Sequence, residues 1–202
     1  MPTPFYQFIG FVSWPLMRGL YRLDAQGVEN LPAKGGFVLA ANHTSNFDPW
    51  PLGYPLWPKR QLHFMAKVEL FNPILGPPLR AGGAFPVRRG EQDIEAIEAA
   101  VRLCREGKIV AMFPEGTRRT KGLVKKFEHR PRPGAARIAL AAGVPLVPAA
   151  IKGTDRVSRL KLKVAYGAPV DMSDLAGMIP RDASRLATER LMTAIYELHD
   201  AL

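Results

Sequence analysis

The stretch Phe37-Val38-Leu39-Ala40-Ala41-Asn42-His43 decides the fold, because an unbroken apolar run leads directly into two polar residues. A short apolar run of this kind indicates a strand that is buried on both faces. The pattern recurs at residues 109–113, which lead into Pro114-Glu115-Gly116-Thr117-Arg118. In open α/β sheets the ligand crevice lies outside the carboxyl ends of the strands, so we expect both polar segments to face one pocket.

Helices alternate with further strands along the rest of the chain. Apolar residues at three- and four-residue intervals predict an amphipathic helix closed by Gly107, at Ile94, Ile97, Val101 and Cys104. Two more helices are predicted, over residues 135–142 and in the carboxyl-terminal segment. Further strands are predicted at residues 62–66, 84–87, 146–151 and 160–165, with 27–31 as an additional candidate. This alternation predicts an α/β fold with a mixed, largely parallel sheet flanked by helices.

Composition restricts the class of protein. A length of 202 residues with 47% hydrophobic content suits one globular domain with an enclosed core. The single cysteine, Cys104, excludes an intramolecular disulfide and is compatible with a reducing compartment. The net charge of +10 predicts attraction to an anionic partner, which could be nucleic acid, anionic lipid or an acidic carrier protein.

The amino-terminal segment has the composition of a membrane-contacting helix. Residues 1–17 carry no charged side chain and are rich in aromatic residues. The stretch is too short and interrupted for a spanning helix, and it has neither the basic start nor the cleavage site of a signal peptide. The arginines that follow it favour a helix in the headgroup region, with a helix packed on the protein's own core as the alternative. We therefore predict an interfacial segment over residues 1–24 and a globular domain over 25–202.

His43 and Asp48 form a candidate acid–base pair. Histidine accepts a proton near neutral pH, and a carboxylate on its other ring nitrogen fixes the tautomer and stabilises the imidazolium. Their separation would put them on different faces of a helix, so the pair requires a turn, which Asn46 and Pro49 favour. The alternative is that Asp48 only caps a helix beginning at Pro49 and that His43 is a structural residue, with its hydrogen bonds satisfied, at a strand end. These residues alone leave both interpretations open.

The second polar segment has the features of an anion site. Gly116 permits close approach of backbone to ligand, while Thr117 and Arg118 offer a hydroxyl and a two-pronged cation to phosphate oxygens. Eight basic residues lie between positions 118 and 137, and only Glu128 opposes them. A solvated loop is the alternative explanation for this cluster as a whole.

Four blocks of sequence occur in order over about residues 25–170. They are the pair His43 and Asp48, then Lys67-Val68-Glu69-Leu70 with Gly83-Ala84-Phe85-Pro86-Val87-Arg88-Arg89, then Phe113-Pro114-Glu115-Gly116-Thr117-Arg118, and finally Val144-Pro145-Leu146-Val147-Pro148. Together they resemble the blocks of the glycerophospholipid acyltransferase family, which is typified by 1-acylglycerol-3-phosphate acyltransferase. The resemblance implies a mixed sheet flanked by helices, with the active site at a sheet edge that faces the membrane.

The resemblance also implies an activity in phospholipid biosynthesis. A fatty acyl group would pass from a thioester of acyl carrier protein or coenzyme A to the free hydroxyl of 1-acylglycerol 3-phosphate, without a metal or other cofactor. His43 would be the general base and Asp48 would orient it. The substrate-binding residues would be Lys67, Arg89, Glu115, Gly116, Thr117 and Arg118. The enzyme would be peripheral or monotopic at the cytoplasmic face of the cell membrane, with an anionic lipid surface as its partner.

Three alternatives compete with this interpretation. Arg88 and Arg119 depart from the family pattern, so the acceptor could instead be a lyso-aminolipid, another lysophospholipid or glycerol 3-phosphate. A nucleic-acid binder would explain the charge, but stacking aromatics are not interleaved with the basic residues and no binding motif occurs, so no nucleic-acid partner is expected. A Ser-His-Asp hydrolase would require a Gly-x-Ser-x-Gly elbow, which the sequence lacks.

Overall fold

The computed structural model describes residues 1–88, 93–115, 131–155 and 161–202. Within these ranges, seven strands form one sheet in the order β1-β7-β6-β2-β5-β3-β4. The strands are β1 (Asp24–Gln26), β2 (Phe37–Ala41), β3 (Leu62–Lys67), β4 (Ala84–Val87), β5 (Ile109–Met112), β6 (Leu146–Lys152) and β7 (Lys163–Tyr166). The α-helices are α1 (Pro4–Pro15), α2 (Pro49–Gly53), α3 (Gly76–Ala81), α4 (Ile94–Arg105), α5 (Gly134–Ala142) and α6 (Pro180–Ala201).

The sheet is mixed but largely parallel, as the sequence predicts. β2 pairs in parallel with β6 on one side and with β5 on the other, and β3 and β4 continue in the same direction. β7 runs antiparallel to β6, and β1 pairs in parallel with β7. The carboxyl ends of β6, β2, β5, β3 and β4 therefore lie along one edge of the sheet.

The central strand β2 is buried at every position. Its alternate side chains separate into two cores, with Val38 and Ala40 on the face covered by α4, α5 and α6 and Leu39 on the face that packs against α2. Each large side chain that is fully removed from water stabilises the fold by about 1.5–3 kcal/mol. Burial on both faces explains why β2 is continuously apolar, and it fixes the point at which the chain turns polar.

The additional strand predicted at residues 27–31 is wrong. The strand β1 ends at Gln26, and Val28–Asn30 forms a 3₁₀ turn. Gly27 has a φ of +70°, and a Cβ atom there would lie 2.1 Å from the carbonyl oxygen of Tyr166. The chain therefore has to turn at this glycine. The last predicted strand is present as β7, although the first residue of the predicted range lies outside the described residues.

The amino-terminal segment has two different faces. Met17 and Tyr21 are buried and form a small cluster with Leu162, so one face packs on the rest of the chain. On the other face Phe8 and Phe11 are 61% and 72% exposed. Among the described residues, no helix has the length and apolar content that crossing a membrane requires. The packed interpretation is therefore confirmed for one face, while membrane contact of the exposed face and the domain boundary at residue 24 stay predictions.

Candidate active site

His43 and Asp48 meet at the carboxyl edge of the sheet. β2 ends at Ala41, and the turn that follows brings Nδ1 of His43 to 2.8 Å from Oδ2 of Asp48. Both residues are buried, and Asp48 is fully enclosed. The turn that the sequence required for this pair is therefore present, and bulk water does not screen the contact.

The hydrogen bonds around Asp48 determine where the proton of His43 lies. Oδ2 of Asp48 also accepts from the backbone N–H groups of Thr44, at 2.7 Å, and Ser45, at 2.9 Å. Several donors on one carboxylate oxygen favour the ionised acid, which can only accept hydrogen bonds. We assign the imidazole proton to Nδ1 on this network, which leaves the lone pair of Nε2 free to accept a proton.

Asp48 does not cap the helix that follows it. Pro49 is the first residue of α2, as the alternative interpretation required, but the Asp48 side chain makes no hydrogen bond to that helix. Its carboxylate instead binds the preceding turn and His43. The capping role is therefore wrong for Asp48, while the helix start at Pro49 is confirmed.

Asn42 fixes the end of β2 against the neighbouring strand. Its Nδ2 donates to the carbonyl oxygen of Ile151 at 2.9 Å, and its Oδ1 accepts from the Ile151 N–H at 2.8 Å. This buried side chain extends the pairing of β2 with β6 by one rung and anchors the residue before His43. Sequence reasoning missed it, and its only signal was its position next to the histidine.

The third sequence block lies beside the first. β5 ends at Met112, and the ring of Phe113 stacks on the imidazole of His43 with centroids 4.2 Å apart and planes at 23°. The buried Glu115 accepts from the backbone N–H of His43 through Oε2 at 3.5 Å. Because β2 and β5 are neighbours, the described start of the second polar segment, up to Glu115, lies beside His43, and residues 116–118 lie outside the described residues.

An apolar cavity of about 590 Å³ opens beside His43. This volume is within the range of ordinary ligand pockets. The cavity lies between α1 and the sheet, and its lining includes Phe5, Tyr6, Ile9, Trp57, Leu62 and Phe64. Lys67, exposed at the carboxyl end of β3, lines the same cavity and brings a cation to it. Sequence reasoning did not foresee that α1 forms one wall of this cavity.

Partly exposed apolar side chains lie at the rim of the cavity. Phe5, Trp50 and Leu70 each line the cavity and are 38%, 39% and 43% exposed, so they lie where it meets solvent. They come from three separate segments of the chain. Ile74, a few residues beyond Leu70, is 83% exposed.

Most of the predicted phosphate-binding residues lie outside the described residues. These are Arg89, Gly116, Thr117 and Arg118. Where the description resumes, the backbone N–H of Arg132 donates to the carbonyl oxygen of Pro114 at 2.8 Å. The chain therefore returns from the basic stretch next to Glu115, and the roles predicted for the undescribed residues stay predictions.

His63 lies apart from this site, near the amino end of β3. Burial lowers the pKa of His63 from its ordinary value, and the charge of Lys108 lowers it further. In the described part of the chain, no group of three or more His, Cys, Asp or Glu residues could hold a metal ion. The expectation that the reaction needs no metal stays a prediction.

Three comparisons relate the chain to known proteins. An acyltransferase family model matches residues 22–152. A 1-acyl-sn-glycerol-3-phosphate acyltransferase of Bacillus subtilis is 37% identical over 179 residues, which are 86% of each chain. One from Streptococcus pneumoniae is 32% identical over 163 residues, which are 76% of this chain and 58% of the relative. The crystal structure of the 1-acyl-sn-glycerophosphate (LPA) acyltransferase of Thermotoga maritima superimposes with a TM-score of 0.65 at 25% identity, covering 96% of this chain and 78% of that one.

Proposed function

This chain belongs to the acyltransferase family that its four sequence blocks predicted, and on that premise we propose that it acylates 1-acylglycerol 3-phosphate. The acyl group comes from a thioester, and the product is phosphatidic acid. The observation that carries the proposal is the buried His43–Asp48 pair at an apolar cavity. Relatives from Bacillus subtilis and Streptococcus pneumoniae, which bear the name of this activity, support it.

The geometry supports a direct transfer. Nε2 of His43 removes the proton from the acceptor hydroxyl as that oxygen attacks the thioester carbonyl. Asp48 stabilises the imidazolium that results, since its Oδ2 already accepts from Nδ1. The carbon–sulfur bond then breaks, the new ester bond remains, and the proton passes from His43 to the departing sulfur. A positioned base of this kind contributes about 10²- to 10⁴-fold to the rate.

The cavity and the cations would bind different parts of the substrate. The apolar walls suit a hydrocarbon chain, because burying each CH₂ group is favourable by about 0.8 kcal/mol. Lys67 lines the same cavity as His43 and would hold the acceptor's phosphate, together with Arg89 and Arg118. Glu115, Gly116 and Thr117 would shape that phosphate site. No metal or further cofactor takes part in the proposal.

The apolar rim supports a peripheral position on a lipid surface. Phe5, Trp50 and Leu70 lie at the opening, and the outer face of α1 adds Phe8 and Phe11. With a net charge of +10, this surface suits anionic lipid at the cytoplasmic face of the cell membrane. Acyl carrier protein and coenzyme A are both anionic, so the charge is compatible with either donor. Nucleic acid is not a partner in this proposal.

A direct assay tests the proposed function. Purified protein is offered a panel of lyso-acceptors and glycerol 3-phosphate, each with acyl carrier protein and coenzyme A thioesters, and products are identified by mass spectrometry. We expect phosphatidic acid from 1-acylglycerol 3-phosphate. If only a different acceptor is acylated, that acceptor replaces 1-acylglycerol 3-phosphate as the substrate. If no pair of acceptor and donor gives an acylated product, the proposal is contradicted.

A further inference from the structure

The second oxygen of Asp48 has a partner of its own. Oδ1 accepts from the hydroxyl of Thr154 at 2.5 Å and, at the longer distance of 3.4 Å, from that of Thr44. Thr154 lies 106 residues further along the chain than Asp48, just after β6. Because Thr154 is only 2% exposed, bulk water does not compete for this oxygen.

The hydroxyls of Thr44 and Thr154 have a defined direction. Their Oγ1 atoms lie 2.8 Å apart, and either could donate to the other. An ionised carboxylate only accepts, so the Thr154 hydroxyl has to give its proton to Asp48. Its oxygen is then left to accept from Thr44, whose hydroxyl oxygen lies 2.8 Å from that of Thr154 and 3.4 Å from Oδ1 of Asp48. The resulting chain runs from Thr44 through Thr154 to Asp48 and ends at His43.

Gly153 directs Thr154 into the site. Its φ is +96°, and a Cβ atom there would lie 2.4 Å from the carbonyl oxygen of Lys161. Only glycine fits this turn without displacing backbone. The turn at Gly153 therefore fixes the backbone directly before Thr154, whose hydroxyl binds Asp48.

We propose that Thr154 is a positioning residue for the His43–Asp48 pair, an inference that rests on the proposed function. Its hydroxyl fixes the rotation of the carboxylate so that Oδ2 faces Nδ1 of His43. Without that hydroxyl, Oδ1 is a buried acceptor left with the 3.4 Å contact to Thr44. The carboxylate then rotates or takes up a proton, and His43 loses the acceptor that holds its tautomer.

Kinetics of three variants test the role of the hydroxyl. Thr154→Val removes it at nearly constant volume, and Thr154→Ser keeps it. Thr188→Val is the matched control, because Thr188 is also buried but donates to the Ser184 carbonyl oxygen within α6. We expect Thr154→Val to lower kcat about ten- to a hundredfold, the usual range for a hydrogen bond to a charged group, with KM nearly unchanged. Thr154→Ser and Thr188→Val should retain most of the activity.

The comparison of Thr154→Val with Thr154→Ser and Thr188→Val separates positioning from packing, because only Thr154→Val removes the hydroxyl that binds Asp48. Equal kcat values in Thr154→Val and Thr188→Val would overturn the proposal. So would an equal loss in Thr154→Val and Thr154→Ser. If Thr154→Val fails to fold, Thr44→Val tests the proposal in its place. We expect Thr44→Val to lower kcat several-fold, and an unchanged kcat would contradict the proposed chain of hydroxyls.

A measurement without substrate distinguishes this proposal from the proposed function. The proton on Nδ1 of His43 should give a downfield NMR signal that is absent in His43→Ala. We expect Thr154→Val to shift or broaden this signal, while Thr154→Ser and Thr188→Val leave it in place. A protein that showed this response but acylated nothing would keep Thr154 as a positioning residue and refute the function. A signal indifferent to Thr154→Val would refute the positioning role instead.

Discussion

Nε1 of Trp50 donates to Oγ of Ser13 at 3.3 Å, and this contact joins α1 to the helix that begins directly after Asp48. Ser13 is buried, and its hydroxyl donates in turn to the carbonyl oxygen of Ile9. α1 is therefore tied to the helix beside the proposed catalytic pair as well as forming a wall of the cavity. Removing the whole segment would disturb both, so membrane contact is better tested on the outer face of α1 alone.

Charges on the outer face of α1 should weaken membrane binding. The double change Phe8→Glu and Phe11→Glu removes two exposed aromatic side chains and adds repulsion from anionic lipid. We therefore expect the affinity for vesicles to fall by a factor of about ten or more. Flotation with anionic vesicles measures it. Ile94→Glu, at a position 66% exposed on α4, is the matched control and should bind normally. Equal flotation of all three proteins would place the membrane surface elsewhere.

His43→Ala should reduce turnover by about 10²- to 10⁴-fold while the melting temperature stays close to that of the parent protein. Asp48→Asn should cause a comparable loss, because an amide cannot stabilise the imidazolium. His199→Ala, near the end of α6, serves as the control and should remain active. Near-normal turnover in His43→Ala would show that another group is the base.

Removing the cation of Lys67 should raise the KM for the acceptor and leave the KM for the donor unchanged. We expect Lys67→Met to raise the acceptor's KM several-fold, because a charge-assisted hydrogen bond to phosphate is lost. Arg80→Met, which removes an exposed cation on α3, is the control. Separate titration of donor and acceptor is the measurement, and an effect confined to the donor would assign Lys67 to the carrier instead.

Arg118→Lys should lower catalytic efficiency toward 1-acylglycerol 3-phosphate by roughly one to two factors of ten. A guanidinium binds phosphate through two parallel hydrogen bonds, and an ammonium group cannot reproduce them. The loss should be small with an acceptor that lacks a phosphate monoester. Arg89→Lys, assayed in parallel, tests the second predicted arginine. Equal losses with both kinds of acceptor would contradict a phosphate-binding role.

Gly10→Ala should alter the range of acyl chains that the cavity accepts. A Cβ atom at Gly10 would lie 2.2 Å from Nε1 of Trp57, so the indole that lines the cavity has to move. Overpacking of this kind costs about 1–3 kcal/mol. We expect a lower melting temperature and a product distribution shifted toward shorter chains, read by mass spectrometry. Gly19→Ala, where a Cβ atom meets nothing within 4 Å, should change neither.

The protein should lose stability as the pH falls below about 6.5, in part through His63. Its pKa is lowered in the folded state, mainly by burial, so over that pH range the unfolded chain binds the proton more readily. Stability therefore rises with pH between the folded and unfolded pKa values of His63. Urea denaturation at pH 7.5 and 5.5 measures the change, and it should be smaller in His63→Gln. Identical changes in both proteins would assign the acid sensitivity to other groups.

The sequence predicts those features of the protein that are formed by residues adjacent in the chain. The buried run of β2 and the polar residues after it are adjacent in the chain, so the strand and the crevice could be anticipated. The segment alone left the pairing of His43 with Asp48 as one of two interpretations, and the family resemblance favoured it. Thr154 and the α1 wall could not, because they reach the site from distant positions. The failed strand at residues 27–31 has a similar cause, since the carbonyl of Tyr166 forces the turn at Gly27.

Because α1 forms part of the cavity wall, the reacting groups and part of the lipid-binding surface lie in different segments of the chain. The proposed base and its carboxylate lie within one short segment, whereas the surface that would hold the hydrocarbon chain includes Phe5, Tyr6 and Ile9 at the start of the sequence. Substitutions in α1 can therefore change which lipids are accepted while the reacting groups stay intact. Grafting the cavity-lining residues of α1 between relatives, with Ser13 and its contact to Trp50 kept, would therefore exchange lipid preference between them.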